Sequence, residues 1–165
     1  MNKKDTVVFD LDGTLLDTLE DLKNSVNYAM TQCGYPEHTL DEVRRYVGNG
    51  ILLLMQRAIP GGKDDPNFDK AFTLFKEHYG KHCNDTTKPY AGIMELLHTL
   101  KENNIKIAIV SNKADFAVKE LNAIYFKDLI PVAIGEKESE GIRKKPAPDY
   151  GNRSIETARK HCRKL

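Results

Sequence analysis

"VVFDLDGTLLDT", residues 7–18, is the stretch on which the reading of the whole chain turns. Val7, Val8 and Phe9 run without a break into Asp10, Asp12 follows two positions on, and Gly13-Thr14 comes next. A short, uninterrupted apolar run closed by glycine reads as a buried strand, Thr6 to Phe9, with Gly13 ending it. Residues i and i+2 of a strand point the same way, so Asp10 and Asp12 converge at its carboxyl end. Carboxylates that close ionise together only when a cation compensates them. Mg2+ suits that place, being a hard ion that takes oxygen ligands and often binds phosphate as well. A carboxylate can also be a nucleophile and form an aspartyl-phosphate.

Downstream of this stretch the grammar is helical. Leu19, Leu22, Val26, Ala29 and Met30 fall on one face, and Thr18 with Asp21 resembles a capping box. "GYPEHT" (34–39) is a break with Thr39 as N-cap, after which Val43, Tyr46 and Val47 continue a helical pattern to Gly48. Helices are predicted over 49–59 and 68–82, separated by the loop "PGGKDDPN" (60–67). From Lys88 the pattern changes to a turn, an amphipathic helix ending at Asn103-Asn104, the strand "IKIAIV" (105–110), a helix over 114–125 and the strand "PVAIG" (131–135). The predicted class is therefore α/β: a Rossmann-like parallel sheet core, residues 1–16 and 87–165, interrupted by an all-helical cap, residues 17–86.

The 165 residues are 40% hydrophobic, which suits one core with a small insertion. Charged residues make up 30% but balance to a net charge of +1, giving no reason to expect a nucleic-acid or membrane partner. The longest apolar run, Ile51 to Met55, is far too short to span a bilayer. The N-terminal "MNKKD" leads into a strand rather than a signal-peptide apolar stretch. Cys33, Cys83 and Cys162 lack CxxC spacing, so reduced thiols and a cytoplasmic location are expected.

In an open parallel sheet, ligands bind beyond the carboxyl ends of the strands. Three such ends carry chemistry here: Asp10, Asp12 and Gly13; then Ser111, Asn112 and Lys113; then "EKESEGIRKKPAPD", with Lys144 and Lys145 before Pro146. Ser111 and Lys145 supply the hydrogen-bonding and positive complement that phosphoryl oxygens need. His78 and His82, four residues apart beside Cys83, have the spacing of a transition-metal pair, but no glutamate completes a zinc-protease motif. They read instead as a polar helix face.

"DLDGTLLDT", "SNK" and "KKPAPD" together resemble the first three motifs of the haloacid-dehalogenase-like phosphatases, over residues 6–149. "YVGNGILLLMQRAI" and "PYAGI" look like those of phosphoglycolate phosphatases and their near relatives. The resemblance implies that Asp10 is the nucleophile and that Asp12 protonates the leaving alkoxide, then deprotonates the hydrolytic water. It implies that Gly13, Ser111, Asn112 and Lys145 surround the phosphate, and that Mg2+ rests on the Asp10 carboxylate and the Asp12 carbonyl. It also implies a cap that selects a small phosphorylated metabolite through Gly48, Asn49 and Arg57. A phosphosugar mutase using the same Asp10, and a non-catalytic remnant that binds phosphate or a partner protein, are the competing readings.

The family's fourth motif, an apolar strand ending in Gly-Asp with another Asp close behind, has no counterpart after "KPAPD". "SIETARKHC" resembles the helix that follows that motif, Gly151-Asn152 is a degraded echo of Gly-Asp, and Asp149 and Glu156 are the nearest acidic stand-ins. The expectations are a core truncated on its C-terminal side, an exposed edge at Thr6–Phe9 able to pair with a second copy, weak Mg2+ binding and little phosphatase activity.

Overall fold

The computed structural model describes residues 5–136, 145 and 154–157. The chain divides into two compact units, Met1–Leu16 with Pro89–Leu165, and Asp17–Lys88. Lys144, Pro146, Asp149, Gly151, Asn152 and Cys162 lie outside the described residues, so the readings placed on them have no structural counterpart here.

The first unit is built on β1 (Thr6–Phe9), with the strand span expected from its apolar run. The chain crosses to the second unit through the two-residue strand β2 (Leu16–Asp17) and returns through β3 (Lys88–Pro89), and these two pair as a ribbon. Helix α5 (Ile93–Glu102) then precedes β4 (Lys106–Ala114), and α6 (Asp115–Tyr125) precedes β5 (Val132–Glu136). The three long strands run parallel in the order β1-β4-β5, with Phe9 opposite Ile109 and Val110 opposite Ile134. The fold is α/β, as the sequence pattern predicts. β4 outruns its apolar run by four residues: Ser111 to Ala114 continue the strand through an irregular register before α6 starts. Polar residues can extend a strand where its ladder partner persists, which periodicity alone does not register.

The core of this unit explains why its acidic turn holds still. Leu11, Leu15 and Leu16 are fully buried among Leu97, Ile107, Ile109, Val118 and Leu121. The carboxylates at 10 and 12 thus alternate with a leucine anchored in the core.

The second unit is helical: α1 (Leu19–Gln32), α2 (Leu40–Tyr46), α3 (Ile51–Ala58), a 3-10 turn (Gly62–Asp64) and α4 (Phe68–His82), packed around Val26, Met30, Met55 and Phe75. Thr39 caps α2 as predicted, in a full capping box with Glu42. Thr18 does not cap α1 with its side chain. Asp21 is drawn away instead, accepting from the backbone N–H and hydroxyl of Thr86 at 3.0 and 2.7 Å and of Thr87 at 2.9 and 2.8 Å. Four donors arriving together outcompete one local cap. His78 stacks on Tyr28 and His82 and shares a 3.0 Å hydrogen bond with Ser25, and burial, with the neighbouring His82, lowers its pKa. His82 faces Asp85 at 2.7 Å. The pair is a packed helix face, as its sequence context predicts.

Candidate active site

The site lies at the carboxyl ends of β1 and β4. The chain leaves β1 through a tight turn in which the N–H groups of Leu15 and Leu16 both donate to the Leu11 carbonyl at 3.0 Å and Gly13 N–H donates to Leu16 at 2.9 Å. Gly13 sits at φ +74° with open space around its α-carbon, so glycine is required there by backbone conformation rather than by crowding. Its N–H is already engaged within the turn.

Asp10 and Asp12 are answered differently. The half-exposed Asp10 carboxylate accepts from the Leu11 N–H at 2.8 Å and meets the Lys145 ammonium at 2.6 Å, both through Oδ1. Asp12 is deeper. Its Oδ1 lies 2.9 Å from the Lys113 ammonium, and its Oδ2 accepts from the Ser111 hydroxyl at 3.4 Å, a long hydrogen bond. Lys113 is 6% exposed and Ser111 3%. Within hydrogen-bond reach of the two acids stand two ammonium groups, so the charge of "DLD" is compensated by the chain's own lysines. An exposed pair such as Asp10–Lys145 contributes about 0–1 kcal/mol and exchanges partners easily. Removing one member of a buried pair such as Asp12–Lys113 costs about 3–5 kcal/mol, so that contact persists.

Asn112 carries Lys145 into position. Its amide nitrogen donates to the Lys145 carbonyl at 3.3 Å and its amide oxygen accepts the Lys145 N–H at 3.0 Å. This clamp gives Asn112 a positioning contact that the expectation of phosphate binding did not include. Two further residues, Gly135 and Lys113, were given no role by the sequence reading. Gly135 N–H donates to the Asp115 carboxylate at 3.0 Å, and a methyl group on Gly135 would come within 2.6 Å of the Lys113 carbonyl and 2.5 Å of the Asp115 α-carbon. β5 can approach the end of β4 that closely only without a side chain. Lys113 itself sat in plain view in "SNK", two residues from Ser111 and hence on the same strand face.

In the helical unit, Gly48 and Asn49 are exposed in the joint between α2 and α3, and Arg57 donates to the Tyr46 carbonyl at 2.8 Å, bracketing that joint. Among the described residues, no three His, Cys, Asp or Glu side chains gather as a metal cluster, and Glu156, exposed on a helical turn, does not join the two aspartates. The donors nevertheless fit Mg2+ in kind. Asp10 and Asp12 are hard oxygen ligands, and the partners of Asp10 among the described residues both meet its Oδ1.

The profile of the haloacid dehalogenase-like hydrolases matches residues 7–161. This chain belongs to that family. Within the family its relatives include the phosphoglycolate phosphatase of Thiobacillus denitrificans, 36% identical over 113 residues, which cover 66% of this chain and 50% of that protein. The phosphoglycolate phosphatase of Nitrosospira multiformis is 33% identical over 147 residues, 86% of this chain and 64% of that protein. A crystal structure from Lactobacillus delbrueckii subsp. bulgaricus, provisionally named a phosphoglycolate phosphatase, superposes with a TM-score of 0.83 at 31% identity, covering 94% of this chain and 73% of that one. The chain thus spans about half to two-thirds of the length of these curated relatives. No helix among the described residues of this chain is long and apolar enough to cross a membrane.

Proposed function

We propose that this chain is a Mg2+-dependent phosphatase of small phosphomonoesters, phosphoglycolate being the nearest in kind, acting in the cytoplasm through an aspartyl-phosphate. The observation that carries the reading is the meeting of Asp10, Asp12, Ser111 and Lys145 at the carboxyl ends of β1 and β4, where Asp10 pairs with Lys145 and Asp12 with Ser111.

In this mechanism the Asp10 carboxylate attacks the phosphorus of the ester, the P–O bond to the alcohol breaks, and the departing oxygen takes its proton from Asp12, which enters the cycle as the neutral acid after taking a proton from solvent. Lys145 leaves its weak pair with Asp10 for the phosphoryl oxygens, where Ser111 also donates. Asp12, now a carboxylate, accepts a proton from water as that water attacks the phosphorus of the aspartyl-phosphate. Inorganic phosphate departs and Asp10 is regenerated. Asp10 and the Asp12 carbonyl would hold the Mg2+, which when bound supplies charge neutralisation to the phosphoryl oxygens. Gly48, Asn49 and Arg57 are assigned to substrate choice, and the edge of β1, which pairs with β4 alone among the described residues, to contact with a second copy.

A second reading has an observation of its own. Because no third acid joins Asp10 and Asp12 among the described residues, the same cradle suits a non-catalytic phosphate binder. One titration separates them: phosphate release from phosphoglycolate, on protein of verified mass, against Mg2+ concentration. Release that rises with Mg2+ and vanishes in Asp10→Asn supports the phosphatase. Phosphate binding with no release at any Mg2+ concentration supports the binder. With two carboxylates gathered among the described residues, half-saturation is expected above the ordinary millimolar range.

A further inference from the structure

We propose that Lys113 is a positioning residue for proton transfer: with Ser111 it fixes the direction in which the Asp12 carboxyl group faces the leaving oxygen of the substrate. The inference rests on the phosphatase reading and adds a residue to it.

Three contacts carry it. The Lys113 ammonium lies 2.9 Å from Asp12 Oδ1, the Ser111 hydroxyl donates to Asp12 Oδ2, and the Lys113 N–H donates to the Ser111 hydroxyl oxygen at 3.1 Å. Both oxygens of Asp12 are therefore held by residues two apart on one strand, and the two holders are joined to each other. Lys113 is itself immobilised. Its side chain is 4% exposed, and its carbonyl lies against Gly135. A lysine on the surface would lose several rotatable bonds' worth of freedom to hold an acid in place; here burial has already removed that freedom. The contrast with Lys145 is informative. Lys145 is 28% exposed and pairs with the half-exposed Asp10, so it can move to a phosphate, whereas Lys113 is enclosed and stays with Asp12. Proton transfer depends on the acid lying within hydrogen-bond reach and in line with the atom it serves, so a carboxyl group free to rotate loses rate without losing substrate affinity.

The test uses Lys113→Met, which keeps the length of the stem and removes the ammonium, in the full chain with Mg2+ present. The first readout needs no turnover: the side-chain carboxyl carbon resonance of Asp12 in protein labelled with 13C-aspartate, at one fixed pH. It is expected to shift or broaden in the variant while those of Asp21 and Asp115, one in each unit, keep their folded positions, which also shows that both units fold. The second readout is kcat/KM for phosphoglycolate and for 4-nitrophenyl phosphate. An alkoxide leaves only with a proton from Asp12, whereas 4-nitrophenolate leaves without one. The loss on phosphoglycolate should exceed the loss on the aryl ester by on the order of tenfold or more. An Asp12 resonance unmoved by the substitution overturns the proposal. A moved resonance with equal losses on both esters also overturns it, leaving Lys113 a purely structural lysine. A moved resonance in a chain inert toward both esters, wild type included, upholds the contact and overturns the phosphatase reading on which its purpose rests.

Discussion

Asp10 of the α/β unit is half exposed and faces a lysine ammonium, its partners among the described residues all meeting one carboxylate oxygen; Asp21 of the helical unit is 1% exposed and accepts from two threonines through both N–H and hydroxyl. Both are carboxylates, one just past the end of β1 and the other in the first turn of α1, and composition does not tell them apart. The difference lies in what satisfies them. Neutral donors fixed to the backbone cannot leave, so Asp21 is committed to joining the first turn of α1 to the residues ahead of β3. A mobile ammonium can leave, so Asp10 remains available to a substrate. The electrostatics agree with this division. Burial pushes the Asp21 carboxyl group up, and the threonine hydrogen bonds more than reverse it, holding its pKa below the ordinary 3.8.

The largest expected effect breaks the first half of the comparison. Asp10→Asn should remove phosphomonoester turnover by on the order of 10^4-fold or more, because an amide cannot form the acyl-phosphate. Its denaturation midpoint should barely move, since an exposed pair contributes little. Asp12→Asn should lower kcat by about 10^2- to 10^4-fold while retaining phosphate binding, measured by calorimetry. Unchanged kcat in Asp10→Asn, purified free of host phosphatase, would end the nucleophile assignment.

Asp21→Ala should show the reverse. Four donors lose a charged acceptor, and the unfolding free energy should fall by roughly 3 kcal/mol in a urea titration. Turnover at low temperature should survive. The sign of the pH effect follows from the lowered pKa. The stabilisation is fully present above the unfolded carboxyl value and is lost as pH falls through the folded one. Wild-type stability should therefore drop steeply below about pH 4, and Asp21→Asn should drop less over the same window. Parallel curves would show that the threonine clasp is not what holds Asp21.

Gly135→Ala tests how closely β5 must approach the end of β4. The added methyl group meets backbone on every side, so a loss of about 1–3 kcal/mol is expected by thermal or chemical unfolding. A neutral outcome would mean that the strand end can give way by several tenths of an ångström.

The smallest effect belongs to Arg57. If it serves substrate choice, Arg57→Ala should raise KM for phosphoglycolate a few-fold more than for an aryl phosphate, because only the former carries a carboxylate besides its phosphate for the guanidinium. An equal rise for both would assign Arg57 to its contact with the Tyr46 carbonyl alone.

What the sequence by itself determined is the local and periodic part of this protein. The apolar run 6–9 specified β1 to the residue, the stripe of 68–82 specified α4, and Thr39 with Glu42 specified the start of α2, because each depends on neighbours within about four positions. The order of "DLDGT", "SNK" and "KKP" also named the three chain segments whose residues meet at the site. The tertiary structure alone decided who answers whom. Asp21 looked like half of a capping box and turned out to bind residues 65 and 66 positions away, and Lys113 looked like the tail of a motif and turned out to be the buried counter-charge of Asp12, 101 positions away. Asn112, which the resemblance places at the phosphate, was also found to carry Lys145, 33 positions away. The physical reason is the same in each case. A side chain's local hydrogen bond contributes about 1 kcal/mol, so any distant arrangement that offers several donors, or a charge out of water, redirects it, and no periodicity in the chain records that competition.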